Sequence, residues 1–204
     1  MALGLFLGLR HAFEADHIAA VAAIASRERN PLRSSFIGGF WGAGHLASLL
    51  LVGLPVVGFG LHFPHELDVP LELGVAAMIV FLGVGGLTRG MAIRDAHGHA
   101  HSIGPFCVGA MHGLAGSGAL TLVILATMPS RMDGLFYLGS FGLGSVVGMM
   151  AASTTLSIPL AIWGLKGTGA ARTLSRGVSL ASVVFGVYYG VTTIAHAIAQ
   201  HPVS

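Results

Sequence analysis

Six long apolar runs follow one another along this sequence, separated by short stretches of proline, glycine and charged residues. A run of about 20 apolar residues is long enough to cross the hydrocarbon core of a bilayer as a helix. With 54% hydrophobic and 9% charged residues, the 204-residue chain has no stretch that could form a soluble domain. We therefore predict one all-α integral membrane domain over residues 1–204. The predicted spans are residues 2–25, 34–60, 71–90, 104–128, 134–164 and 174–199.

The basic residues fall mostly on one side of these spans. Only Arg131 lies on the other side of the membrane in this scheme. Cytoplasmic loops of membrane proteins carry an excess of Lys and Arg, so we predict that the first, third and fifth connections face the cytoplasm. The net charge of +2 reflects these loops and does not indicate nucleic-acid binding. The basic residues of those connections are Arg27, Arg29, Arg33, Arg89, Arg94, Lys166, Arg172 and Arg176.

Three short matches at an offset of about 100 residues indicate an internal repeat. The matched segments are 8–12 with 109–113, 41–45 with 141–145, and 80–84 with 183–187. Chance similarity among glycine-rich helices is the alternative explanation. Halves of three spans each, about 1–95 and 102–204, would enter the membrane from opposite sides because an odd number of crossings reverses the chain direction. We therefore predict a 3+3 inverted repeat, with the substrate at the interface between the repeats.

The first apolar run carries five ionisable side chains within eight positions: Arg10, His11, Glu14, Asp16 and His17. A charge at the centre of a bilayer costs roughly 2.5–3.5 kcal/mol, so these groups must face a protein interior or a wet cavity. On a regular helix, the side chains of His11, Asp16 and His17 would point in three different directions and would be spread over about 9 Å along the helix axis. They can meet one small ligand only if the helix is locally unwound or if other helices supply partners. Imidazole and carboxylate together suit a divalent first-row transition metal.

The segment Arg10-His11-Ala12-x-Glu14-Ala15-Asp16-His17-Ile18 resembles the signature helix of the nickel/cobalt transporter family, including its shorter urease-accessory branch. Gly44-His45 resembles the second motif of that family. His112 and Ser153 stand where larger members carry acidic residues, and both departures resemble the urease-accessory branch. With the repeat, which pairs His112 with His11, the resemblance implies a metal site. Its candidate ligands are His11, Glu14, Asp16, His17, His45 and His112.

The resemblance implies a permease of the cytoplasmic (inner) membrane that carries Ni²⁺ or Co²⁺ as its substrate. It implies no enzymatic activity and no bound cofactor. The implied partners are the metal ion, the lipid bilayer, and a cytoplasmic metallochaperone or urease or hydrogenase maturation proteins. The sequence contains no phosphate-binding glycine-rich loop with Lys-Ser/Thr, so we do not expect it to hydrolyse ATP.

Two further features give weaker signals. The tract 94–103 contains His97, His99 and His101, and it is either a loop that holds metal loosely with neutral imidazoles or a polar loop without an essential role. Cys107 is the lone cysteine, which excludes an internal disulfide. We predict that it is a small buried apolar residue.

Two other functional classes match parts of the pattern. His11-x4-Asp16 also fits the dyad of membrane glycerolipid acyltransferases, in which the histidine is a general base oriented by the aspartate. That reading gives His17 no role. A haem-binding redox protein would use pairs of histidines from the spans as axial ligands. That reading leaves Glu14 and Asp16 unexplained.

Overall fold

The computed structural model describes residues 2–25, 28, 30–61, 64–89, 100–115, 125, 127–166 and 168–200. These ranges contain α-helices, one 3-10 helix at His65–Leu67 and no β-strand, which confirms the predicted all-α class. The seven helices are α1 Ala2–His11, α2 Ala15–Ala25, α3 Pro31–Phe59, α4 Asp68–Arg89, α5 Ala100–Leu114, α6 Arg131–Lys166 and α7 Thr168–Gln200.

Four of these helices, α3, α4, α6 and α7, are long and apolar enough to cross a membrane. Large apolar side chains cover the outside of the bundle: Leu51, Phe59 and Phe81 are 71%, 83% and 69% exposed. Serine and histidine side chains lie inside it. Lipid tails are as apolar as leucine, so an apolar exterior is favourable in a bilayer. The chain is therefore a membrane protein. The fourth predicted span, 104–128, includes α5 and is described only in part.

The first predicted span, 2–25, is two helices and not one. α1 ends at His11, residues 12–14 form a turn, and α2 begins at Ala15. The amides of Phe13 and Glu14 donate to the carbonyl oxygens of Arg10 and His11 at 2.9 and 3.0 Å, so the turn satisfies carbonyls that the end of α1 would leave unpaired. The ionisable segment therefore straddles a break, which is one of the two conditions under which its side chains could meet.

Helix α3 has a cap at each end. The Asn30 side chain accepts from the amides of Leu32 and Arg33, and Pro31 occupies the first turn, where its missing N–H costs nothing. At the other end Gly60 adopts a φ of 67° and donates to the Val56 carbonyl, a conformation that glycine accepts without strain. These caps fix α3 at 29 residues.

Pro159 lies inside α6, which continues beyond it to Lys166 and is 36 residues long. The helix is therefore continuous over the fifth predicted span.

Close helix crossings organise the bundle. α1 packs on α6, and α3 packs on both α5 and α6. A Cβ atom on Gly8 of α1 would collide with the carbonyl oxygen of Phe141 in α6, and one on Gly109 of α5 would collide with the carbonyl oxygen of Trp41 in α3. Only glycine permits such an approach of two backbones. The predicted repeat would pair Gly8 with Gly109 and Trp41 with Phe141, so the two crossings would use paired positions.

The crossing of α4 and α7 is reciprocal in the same way. A Cβ atom on Gly83 would lie 2.8 Å from the carbonyl oxygen of Ser179, and one on Gly186 would lie 3.0 Å from that of Ala76. The repeat pairs Gly83 with Gly186 and Ala76 with Ser179. Gly83 of α4 therefore approaches Ser179 of α7, and the paired glycine, Gly186 of α7, approaches the paired residue, Ala76 of α4.

Candidate metal centre

Four buried histidines from four helices meet beside the break between α1 and α2. His11 ends α1, His17 lies in the first turn of α2, His45 is on α3 and His112 is on α5. Each is at most 5% exposed. The ring of His17 lies 4.3 Å from that of His11, 5.3 Å from that of His45 and 4.1 Å from that of His112, measured between centroids. Segments far apart in the sequence therefore form one cluster of imidazoles.

Two carboxylates hold three of these rings. His11 Nδ1 lies 2.9 Å from Glu14 Oε2, and His17 Nδ1 lies 3.1 Å from Asp16 Oδ1. The second carboxylate oxygen of Asp16 lies 2.8 Å from His112 Nε2. A carboxylate that accepts from one ring nitrogen fixes the orientation of a histidine and leaves its other nitrogen available to a metal.

Five ring nitrogens in this cluster have no hydrogen-bond partner among the described residues. They are Nε2 of His11 and His17, both nitrogens of His45, and Nδ1 of His112. A buried polar atom without a partner costs about 1–3 kcal/mol, and such atoms call for an explanation. Coordination of a metal ion by neutral imidazoles would explain why several such nitrogens lie close together.

The donor atoms form two groups whose spacing suits a metal. One ligand atom from each of His11, His17 and His45 lie within 4.8 Å of one another, and so do one each from Asp16, His17 and His112. Metal–nitrogen bonds of about 2.0–2.1 Å place adjacent ligand atoms about 3.0–3.4 Å apart. Small side-chain rotations would therefore close either group around an ion.

Two aromatic residues that the sequence analysis did not propose for the site line the cluster. The ring of Trp41 lies 5.4 Å from that of His17 and 5.9 Å from that of His112. Phe141 lies 5.5 Å from the ring of His11. Trp41 precedes His45 by one helical turn and so shares its face of α3, which is the signal that could have identified it.

Five of the six predicted ligands are brought together, namely His11, Asp16, His17, His45 and His112. Glu14 is half exposed and contacts the cluster through His11, and it belongs to neither group of donor atoms. Residues 94–99 of the histidine-rich tract, including His97 and His99, lie outside the described residues, and His101, predicted as part of a loop, lies in the first turn of α5. The described structure thus concentrates its candidate ligands at the helix break.

The contacts in the cluster bear on the two other functional classes. The oxygens of Asp16 contact His17 and His112, whereas His11 contacts Glu14, so His11 and Asp16 do not form the general-base dyad of an acyltransferase. A haem ligated by two histidines needs its macrocycle between the two rings. Imidazoles whose centroids lie 4.1–5.3 Å apart leave no room for one.

Comparison with known proteins gives a relative of similar length. The chain is 30% identical over 207 residues to the urease accessory protein UreH of Bacillus sp. (strain TB-90), and the alignment covers 93% of this chain and 89% of that protein. The chain belongs to the UreH family of urease accessory proteins. This UreH relationship confirms the resemblance to the urease-accessory branch that the signature segment indicated. Family models give no match to the chain, and no solved structure matches it.

Proposed function

We propose that this UreH-family protein is a multi-pass permease of the cytoplasmic membrane that carries a divalent transition-metal cation, with nickel or cobalt as the cargo. The proposed ligands are His11, Asp16, His17, His45 and His112. Glu14 would act through His11, whose Nδ1 its carboxylate contacts at 2.9 Å. The protein would carry out no covalent chemistry.

The observation that carries this proposal is the group of unpartnered imidazole nitrogens at the helix break. The Nδ1 atoms of His11 and His17 face carboxylates, and their Nε2 atoms are unpartnered in the described structure. This is the arrangement by which carboxylates orient metal-ligating histidines. Neutral imidazole suits nickel, copper, zinc and iron, and the resemblance to the nickel/cobalt transporter family favours nickel or cobalt among the divalent metals.

A break in a membrane helix is a favourable place for such a site. Transporters bind their substrates near the middle of the bilayer, where discontinuous helices present backbone and side-chain groups to a cavity. The turn at residues 12–14 divides the first span near its middle. We propose that the two halves of the chain, about 1–95 and 102–204, form the inverted repeat that exposes this site alternately to each side of the membrane. The reciprocal glycine contacts support that repeat.

The membrane potential can supply the driving force. Moving a doubly charged ion into a cell whose interior is negative releases roughly 4.6 kcal/mol per 100 mV, which corresponds to about a thousandfold accumulation. The proposed permease therefore needs no ATP hydrolysis of its own.

The related protein is a urease accessory protein, and we extend a role of that kind to this chain. The imported ion would pass to a cytoplasmic metallochaperone or to urease or hydrogenase maturation proteins. Nickel is the cargo that best fits that destination.

Metal uptake by proteoliposomes tests the proposal. Wild-type protein should accumulate Ni²⁺ or Co²⁺ in preference to Mn²⁺, and Zn²⁺ should be compared in parallel. His17→Ala should abolish uptake at equal protein content, because His17 belongs to both groups of donor atoms. His196→Ala is the matched control, since His196 is an exposed histidine of α7, and it should leave uptake unchanged. Full uptake by His17→Ala would refute the proposed function.

A further inference from the structure

His17 is the one residue common to both groups of donor atoms. The first group, which we call the imidazole position, consists of His11, His17 and His45, and the second, the carboxylate position, consists of Asp16, His17 and His112. The other ligands differ in their origin. His45 lies on α3, and His112 lies on α5. The two positions therefore share one ring and draw on different helices.

The two nitrogens of the His17 ring differ in their contacts. His17 Nδ1 lies 3.1 Å from Asp16 Oδ1, whereas its Nε2 has no hydrogen-bond partner among the described residues. A neutral imidazole has one nitrogen that carries a proton and one that offers a lone pair. His17 can therefore coordinate an ion through only one of its two nitrogens at a time.

From this geometry, and resting on the proposed function, we propose that the cargo ion has two overlapping binding positions that share His17, so that one ion at a time passes between the imidazole position and the carboxylate position. Occupation of one position removes from the other the ligand that both require. The chain would then bind a single ion although it has donor atoms for two.

The hydrogen bonds bear on how each position could be occupied. An ion bound to Nε2 of His11 and His17 would leave the contacts of their Nδ1 atoms with Glu14 and Asp16 in place. An ion bound to His112 Nε2 or to Asp16 Oδ2 would displace the 2.8 Å contact between these two atoms, whereas Nδ1 of His112 has no partner among the described residues. The imidazole position therefore fits the described arrangement of side chains, and the carboxylate position fits it if His112 binds through Nδ1.

The chemistry of the two positions differs in a way that suits transfer. In the imidazole position the three ligands are neutral, and the carboxylates of Glu14 and Asp16 act only through the rings that they contact, whereas in the carboxylate position Asp16 would bind the ion directly with its negative charge. The imidazole position also lies within residues 11–45, but the carboxylate position adds His112 from α5 in the second half of the chain. In the imidazole position the ion would be bound by the first half of the chain alone. After transfer to the carboxylate position it would be bound by both halves.

Cobalt binding to the full-length protein in detergent tests the two-position scheme, with Co²⁺ alone as the probe. Wild-type protein should bind one ion per chain. His112→Ala should still bind one ion with the same number of imidazole ligands by X-ray absorption, because the imidazole position is intact. His45→Ala should also bind one ion, with fewer imidazole ligands. His17→Ala, and the double variant that lacks both His45 and His112, should bind none.

Uptake measurements should distinguish two positions on one path from two independent sites. If the ion must visit both, His45→Ala and His112→Ala should each slow Co²⁺ uptake by at least about tenfold, the scale on which a change near a metal ligand acts, although each still binds an ion. His45→Gln and His112→Gln preserve more of the side-chain volume. Together with elution as a single species, they exclude misfolding as the cause.

Several results would overturn the scheme. They are two ions bound per wild-type chain, one ion bound by His17→Ala, or complete loss of binding in His45→Ala or in His112→Ala, which would indicate one undivided site. Each of these can occur while wild-type protein transports cobalt, and then only the two-position scheme fails. A wild-type protein that neither binds nor transports nickel or cobalt would refute the proposed function as well.

Discussion

Replacing Gly109 with alanine tests whether the close crossing of α3 and α5 sets the position of His112. A Cβ atom on Gly109 would lie 2.7 Å from Cδ1 of Trp41 and would collide with the carbonyl oxygen of the same residue. Carbon atoms in van der Waals contact are about 3.5–4.0 Å apart, so α5 must move away from α3 by about 1 Å. The obstacle includes backbone, which cannot swing aside as a flexible side chain could.

The expected loss follows from two opposing effects. Overpacking of a tightly packed site costs typically about 1–3 kcal/mol, and alanine gains about 0.8–1.0 kcal/mol over glycine in helix propensity. The free energy of unfolding of Gly109→Ala should therefore fall by up to about 2 kcal/mol. His112 lies one turn further along α5, and its 2.8 Å contact with Asp16 would not survive a shift of that size. Uptake should fall by about tenfold.

Gly104→Ala is the matched control on the same helix. Gly104 is exposed, and a Cβ atom there would have nothing within 4 Å. Its alanine variant should therefore meet no atom of another helix, although Pro105 next to it disfavours the helical conformation for a residue with a Cβ atom. Thermal unfolding in detergent and Ni²⁺ or Co²⁺ uptake at equal expression should be measured for both variants. If Gly109→Ala proves as stable and as active as Gly104→Ala, the crossing does not position His112.

Three further outcomes can be measured on the same preparations. Ser34→Ala removes a buried 2.8 Å hydrogen bond to the carbonyl oxygen of Ser153 and should lower the free energy of unfolding by about 1 kcal/mol, whereas Ser35→Ala should change it less. Uptake at subsaturating metal should fall at low pH, because protons compete with the metal for ligand imidazoles, which must be neutral to bind it; a rate that does not depend on pH would count against histidine ligation. Joint replacement of His97, His99 and His101 by alanine should change uptake only modestly, because these histidines are not among the proposed buried ligands, and loss of uptake would contradict that.

The sequence indicated the cluster at the helix break because its polar residues lie in a segment that is otherwise apolar. Five ionisable residues in the first span require a polar environment inside the membrane, and the break at residues 12–14 provides one. The contacts within the cluster could not be predicted in the same way. Asp16 contacts His112 and not His11 because of the way α2 and α5 approach each other. The spacing of residues within one segment does not predict how two helices approach.

Packing in lipid also limited what composition could predict. Cys107 was expected to be buried as a small apolar residue, but it is exposed on α5. That prediction is wrong because an apolar side chain is as well accommodated by lipid as by the protein interior. Pro159 lies within α6, because a proline that would end a helix in water can be accommodated in a membrane helix when neighbouring groups satisfy the freed carbonyl.

The break between α1 and α2 places the proposed metal site between two helices that pack differently. α1 packs against α6, while α2 packs against α4, α6 and α7, and residues 12–14 are the chain segment that connects them. An ion held by His11 and His17 would join the end of α1 to the start of α2. Its affinity would then depend on the angle between the two helices, and by linkage the bound ion would favour that angle.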